Sequence, residues 1–151
     1  ADIDEQIDTD GDGFADWFEN AGWLITIKLA NGGTKVAFVT SDPNNPDTDG
    51  DGFTDGEENA HNWDPRTNDT DADILDDFTE FNVLFSDPAD QDSDDDGIDD
   101  LTEVTFFLTS PIIADTDGDQ MSDSEELFDR TAECLGAIGG ARNLHSGGHA
   151  A

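Results

Sequence analysis

Carboxylates stand at fixed intervals in five twelve-residue segments of this chain: DTDGDGFADWFE (8–19), DTDGDGFTDGEE (47–58), DTDADILDDFTE (69–80), DSDDDGIDDLTE (92–103) and DTDGDQMSDSEE (115–126). Positions 1, 3, 5 and 9 are always Asp, position 7 is apolar and position 12 is Glu. The acids are therefore Asp8, Asp10, Asp12, Asp16 and Glu19 in the first segment and Asp47, Asp49, Asp51, Asp55 and Glu58 in the second. They are Asp69, Asp71, Asp73, Asp77 and Glu80 in the third, and Asp92, Asp94, Asp96, Asp100 and Glu103 in the fourth. The fifth has Asp115, Asp117, Asp119, Asp123 and Glu126. Carboxylates on alternate residues of a tight loop, closed by a later Glu, form an oxygen cage for a hard cation. Positions 1, 3 and 5 each offer one oxygen, position 9 acts directly or through water, and the Glu can use both oxygens. Position 7 offers its backbone carbonyl, here that of Phe14, Phe53, Leu75, Ile98 and Met121. Six to eight flexible oxygens suit calcium better than magnesium, and no loop holds a His or Cys to favour zinc. The expectation is a calcium protein with about five to ten ions. Without them, carboxylates ~4 Å apart repel by roughly 4 kcal/mol at an effective dielectric of 20. The metal-free chain should be loose.

These segments must be held by elements between them. They start 39, 22, 23 and 23 residues apart, so the unit is about 23 residues with a 16-residue insertion in the first. The loops are not EF-hands: the apolar residue sits at position 7 rather than 8, and Pro43 and Pro46 forbid a helix entering the second loop. After each position 9 the sequence allows one or two helical turns, with the position-9 Asp as a suitable N-cap. FNVLF and TFFL can alternatively be read as strands. Phe81, Leu84, Phe85, Val104, Phe106, Phe107, Leu108, Ile112 and Ile113 are expected to pack adjacent units together. The insertion, 23–39, alternates apolar and polar residues around Asn31-Gly32-Gly33 and predicts a hairpin, either covering the open end of the array or offering an edge to a partner. The fold class expected is a mainly irregular, calcium-stapled repeat array of EF-hand-like loops with short helices, plus one small β-hairpin. The array spans 1–130, and 131–151 form a C-terminal helix end and a Gly-rich tail. Glu126, Leu127, Phe128, Thr131, Cys134, Leu135 and Ile138 fit a terminal amphipathic helix. Ile74 and Gln120 replace the position-6 Gly of the sharp turn, so the third and fifth sites should be weaker or distorted.

The full unit, the loop followed by a short apolar stretch and [ST]-D-P-x-x-x-D as in EFNVLFSDPADQD, resembles the thrombospondin type 3 repeats of bacterial secreted and surface proteins over about residues 8–130. The first unit, with SDPNNPDTD behind it, also resembles the calcium region of anthrax protective antigen and the clostridial binary-toxin translocation components. That second resemblance implies two adjacent calcium ions in one loop, held by Asp8, Asp10, Asp12, the Phe14 carbonyl, Glu19 and a downstream ligand, Asp42. Carried forward it implies Asp64 for the second unit and Asp87 for the third. Ser110 takes the corresponding place in the fourth.

Composition limits the other possibilities. The 151 residues carry 39 Asp and Glu against five Lys and Arg, a net charge of −34. Nucleic acid needs basic side chains to neutralise its phosphates and is excluded as a partner. No apolar run approaches the ~18 residues of a membrane span. Disorder or a halophile surface would scatter the acids, yet thirty of the 39 lie in the five loops. No catalytic triad, nucleophile elbow or phosphate loop is present, and every acidic pair belongs to a repeated ligand position, so the chain reads as no enzyme. His61, His145 and His149 are scattered surface residues, and Cys134, the single cysteine, reads as a buried thiol. The functional expectation is an extracellular or cell-surface structural module: a rigid spacer, adhesin or filament building block. It could associate head to tail with itself or belong to a larger surface or matrix protein. The alternative is a calcium-stabilised regulatory or processing domain of a secreted toxin-like protein.

Overall fold

The computed structural model describes residues 7–127. Expectations about Phe128, the 131–151 tail, Cys134, His145 and His149 lie outside the described residues. The order is α1 (Asp16–Ala21), β1 (Trp23–Lys28), β2 (Thr34–Val39), α2 (Asp55–His61), α3 (Asp77–Thr79) and α4 (Asp100–Thr102). α3 and α4 run directly into π-helical turns, Glu80–Leu84 and Glu103–Phe107, and the chain is again helical from 123 to 127. The rest is loop and turn. The architecture is the irregular repeat array with short helices and one hairpin that the spacing predicts.

Each loop is wired by its own carboxylates. The position-1 Asp accepts from the position-6 N–H in all five loops, as in Gly13 to Asp8 and Gln120 to Asp115. Position 3 accepts from the N–H of position 5, and position 5 from that of position 7. The N–H of position 9 closes the loop on the carbonyl of the residue just before it, as in Asp55 to Pro46 at 3.1 Å. This leaves one oxygen of the position-3 and position-5 Asp free of its own loop. The winding needs positive φ at positions 4 and 6, supplied by Gly where present. Ile74 is held at φ 92 and Gln120 at φ 83 all the same.

The helices start one residue earlier than expected. Thr54, Asp76 and Asp99, at position 8, cap α2, α3 and α4 by accepting from the N–H three residues on, and Thr54 forms a full capping box with Glu57. The position-9 Asp is thus the first helical residue and not the N-cap. FNVLF and TFFL are not strands. Their D-D-x-T starts commit the chain to a helix, with Thr79 and Thr102 bonding back to Asp76 and Asp99 through both N–H and hydroxyl. The third and fourth units are one residue longer than the second, and each absorbs that residue in a π turn.

The hairpin pairs Trp23 with Val39 through Lys28 with Thr34. Ile25, Ile27 and Val39 are its buried core, flanked by Trp23, Leu29 and Ala37. Gly22, at φ 74, joins it to α1 where a Cβ would lie 2.5 Å from the Val39 carbonyl. The hairpin does not cover the open end. Its β1 edge lies along the middle of the array: Asn62, capping α2 at φ 70, bonds both the N–H and the carbonyl of Thr26, and the Lys28 N–H donates to Ala89. Lys28 Nζ pairs with Asp90. The reason is chemical, since β1 has unmet backbone groups and the second and third units present partners for them.

The apolar residues expected between units divide. Phe81 packs on Phe53 and Trp63, but Phe85, Phe106 and Leu108 are 71, 79 and 80% exposed. The π turns rotate these side chains outward. Apart from the aromatic contact of Phe53 and Trp63 with Phe81, the units meet through other groups.

Ile74 gives a measurable consequence. A β-branched residue at φ 92 costs about 1–2 kcal/mol, and a glycine there is opposed by about 0.5–1 kcal/mol of unfolded-chain entropy. Ile74 is 79% exposed, so its side chain contributes little packing. Ile74→Gly in saturating calcium should raise the melting temperature by a few degrees. An unchanged or lower value would show that the turn is not strained.

Candidate metal centres

The free oxygens converge on two kinds of cluster. Within loops, Asp8, Asp10 and Asp12 bring their ligand atoms within 4.8 Å of one another, as do Asp47, Asp49 and Asp51, and Asp69, Asp71 and Asp73. Across loops, Asp12 and Glu19 meet Asp55 of the next unit, and Asp51 and Glu58 meet Asp77. Asp55 and Asp77, both at position 9, therefore serve the unit before their own. The part of the position-9 Asp in its own loop is structural: both oxygens accept from the position-2 residue, one from the N–H and one from the hydroxyl, in all five loops.

Glu19, Glu58, Glu80 and Glu103, the position-12 residues of the first four loops, are completely buried. Among the described residues, twelve of the fifteen buried side-chain polar atoms without a hydrogen-bond partner are carboxylate oxygens at positions 3, 5 and 12. The two ion pairs among the described residues, Lys28 with Asp90 and Arg66 with Asp64, leave them unneutralised. Buried, unpaired oxygens aimed at a common centre are what a divalent cation requires, and burying such groups without one costs several kcal/mol each. The donor set fits calcium.

Electrostatics grades the sites. Burial, then the charges of Asp49, Asp51, Asp55 and Asp77, pushes the Glu58 carboxyl up to about 10. Glu80 is pushed to about 10 by burial and by Asp71, Asp73, Asp77 and Asp100. Burial raises Glu19 to about 7 and Glu103 to about 8, against the hydroxyls of Ser41 and Thr109, which donate to them at 3.0 Å and lower them. Burial and the neighbouring Asp73 carry Asp71 to about 8. In the fifth loop Asp117 and Asp119 are exposed, and no further repeat covers them among the described residues.

The S-D-P aspartates make local contacts within their turns. Asp42 is exposed and accepts from the N–H and Nδ2 of Asn44, Asp64 is gripped by Arg66 through Nε and Nη2 at 2.8 Å, and Asp87 accepts from Ala89. The hydroxyl of Ser41 reaches the first cluster directly. Sequence reading missed position 2. Thr9, Thr48, Thr70, Ser93 and Thr116 hold the position-9 Asp, and the last four also accept from the backbone N–H of Asp42, Asp64, Asp87 and Ser110. An invariant hydroxyl between two aspartates was the available signal.

Residues 8–22 and 47–65 match the family model of the bacterial TSP3 repeat. No curated protein and no solved structure matches the chain, and nothing supports the likeness of the first unit to protective antigen or the binary toxins. The match covers the first two of the five loops, and the repeated acidic clusters suit calcium. Among the described residues no helix is long and apolar enough to cross a membrane.

The raised carboxyls set the sign of the pH response. In metal-free protein the folded state keeps protons on Glu58 and Glu80 that the unfolded state releases above the usual value of 4.5. Folded stability is then greatest below about 4.5 and falls as pH rises toward 10. Protein freed of calcium and chelator should melt about 5 °C or more higher at pH 5 than at pH 8. With saturating calcium the order should reverse, because protons compete with the ion. Circular dichroism melts of both forms check this.

Proposed function

We propose that the chain is an extracellular calcium-stapled structural module, a rigid spacer whose stiffness comes from cations held between successive repeats. The observation that carries this is the cross-repeat cluster, Asp12 and Glu19 with Asp55, and Asp51 and Glu58 with Asp77. A cation there binds two units at once, so occupancy fixes their mutual orientation. Second bonds follow the same path: the Gly56 N–H donates to Asp12 and the Ser124 N–H to Asp96, each position 10 of one unit reaching position 5 of the unit before. Such loops saturate in the calcium range of extracellular fluids. A spacer within a larger surface protein and a building block that associates head to tail both use this rigidity, and sedimentation in calcium separates them. A calcium sensor would need a helix pair that opens. The longest helix described, α2, has seven residues.

Asp16 and Asp55 test the reading as a matched pair. Both hold the position-2 Thr of their own loop, but Asp55 also faces Asp12 and Glu19 of the preceding unit. Asp55→Asn should lower the bound calcium by about one ion and broaden the thermal transition, whereas Asp16→Asn should shift its midpoint while keeping the stoichiometry. Small-angle scattering of the unmodified chain should show expansion on chelation. Equal stoichiometry in the two variants, or scattering indifferent to calcium, would remove the cross-repeat staple as the basis of function.

A further inference from the structure

The four junctions between successive repeats fall into two kinds. At the first and the fourth, the buried carboxylates already accept hydrogen bonds from the protein. The Ser41 hydroxyl donates to Glu19 and the Thr109 hydroxyl to Glu103, each at 3.0 Å, so each glutamate keeps one partnerless oxygen, Oε2. The position-5 aspartates are bonded as well, Asp12 by the Gly56 N–H and Asp96 by the Ser124 N–H, both at 3.0 Å. The second and third junctions differ. Both side-chain oxygens of Glu58 and of Glu80 are buried without a partner among the described residues, and so is Oδ2 of Asp51 and of Asp73. Ahead of the turn, where the outer units have Ser41 and Thr109, the second unit has Trp63, which carries no hydroxyl, and the Ser86 hydroxyl of the third bonds nothing. At positions 5 and 12, each inner junction therefore holds three bare, buried carboxylate oxygens, and each outer junction holds one.

We propose that the array carries two classes of cation site, calcium-selective at the second and third junctions and weaker and open to magnesium at the first and fourth, with Ser41 and Thr109 as the residues that set the difference. The inference rests on the reading that cations occupy these junctions. Calcium takes roughly six to eight oxygens and accepts both oxygens of one carboxylate, whereas magnesium demands octahedral order and keeps several waters, held by one or two carboxylates. A glutamate with two bare oxygens can give both to one ion, which suits calcium. Where a hydroxyl holds one oxygen, that oxygen has less charge and less freedom to offer, and water fills the remaining places. Magnesium tolerates that arrangement. Burial points the same way, because a carboxylate without partners is costly to bury and the inner junctions hold more such oxygens. They have more to gain from an ion. In the third unit the positive φ of Ile74 opposes this gain, so the second junction is the clearest of its class, and there Asp51, Glu58 and Asp77 bring ligand atoms within 4.8 Å of one another.

The test is chelator-competition titration and amide NMR on the full chain, with calcium and magnesium as the probes. Calcium should bind in a tight and a weak class about tenfold or more apart, and millimolar magnesium should compete for the weak class only. Magnesium added in excess to the calcium-loaded chain should shift the amides of Glu19 and Glu103 before that of Glu58. Ser41→Ala and Thr109→Val, both at half-buried positions, should each raise the calcium-over-magnesium preference of one weak site several-fold. A hydroxyl that merely supports the fold would lower both affinities together and leave that preference unchanged. A single affinity class, exchange first at Glu58, or an unchanged preference in both variants would overturn this inference and leave the spacer reading standing. No calcium bound by the unmodified chain would overturn both.

Discussion

Four glutamates with no exposed surface, in a chain of net charge −34, set the terms for everything else in this structure. Each lies among aspartates that raise the cost of its own ionisation, and no lysine or arginine among the described residues is paired to it. In an ordinary domain such groups would be outside, with aliphatic side chains in their place. Here the buried hydrophobic residues among those described are few: Ile25, Ile27, Val39, Trp63, Ala89 and Ile98. A calcium ion held there would turn a repulsive centre into a cohesive one, and metal binding and folding would then be linked.

The hydrogen bonds make that centre hard to deform. From the backbone N–H of Asp42, a path runs through the Thr48 hydroxyl to Asp55, and Asp55 in turn faces Asp12 and Glu19. A displacement in one unit is therefore felt at the ligands of the one before. Solenoid arrays ordinarily couple neighbours through apolar interfaces. This one couples them through shared carboxylates, which is why the π turns can direct Phe106 and Leu108 to solvent without separating the repeats.

Much of the fold was legible: the ligand period marks the loops and the short helices after them, and the alternation around Asn31-Gly32-Gly33 marks the hairpin from Trp23 to Val39. What escaped depended on distance in three dimensions. That Asp55 serves Glu19, thirty-six residues earlier, cannot be read from spacing within one loop. The docking of β1 on Asn62 was equally hidden, since a lone Asn after a helix signals an αL cap and says nothing of the strand it will bond. Position 2 was readable in principle. Its hydroxyl was passed over because Thr and Ser are ordinary loop residues, and only the pairing with position 9 gives them meaning.

With carboxylate clusters at the centre of the repeats, few apolar side chains serve as core, and the surface shows it. Leu24 and Phe38 stand directly opposite each other on the outer face of the hairpin at 66 and 57% exposure, with Val36 beside them at 59%. A cross-strand pair of that kind contributes roughly 0.2–1 kcal/mol to the hairpin even in solvent, so it is not idle. It also presents apolar surface that a strongly charged chain can tolerate, since self-repulsion keeps copies apart. Bound calcium would weaken that restraint by cancelling part of the charge. On the proposed reading, the ion that fixes the array would therefore also lower the barrier to contact with other molecules.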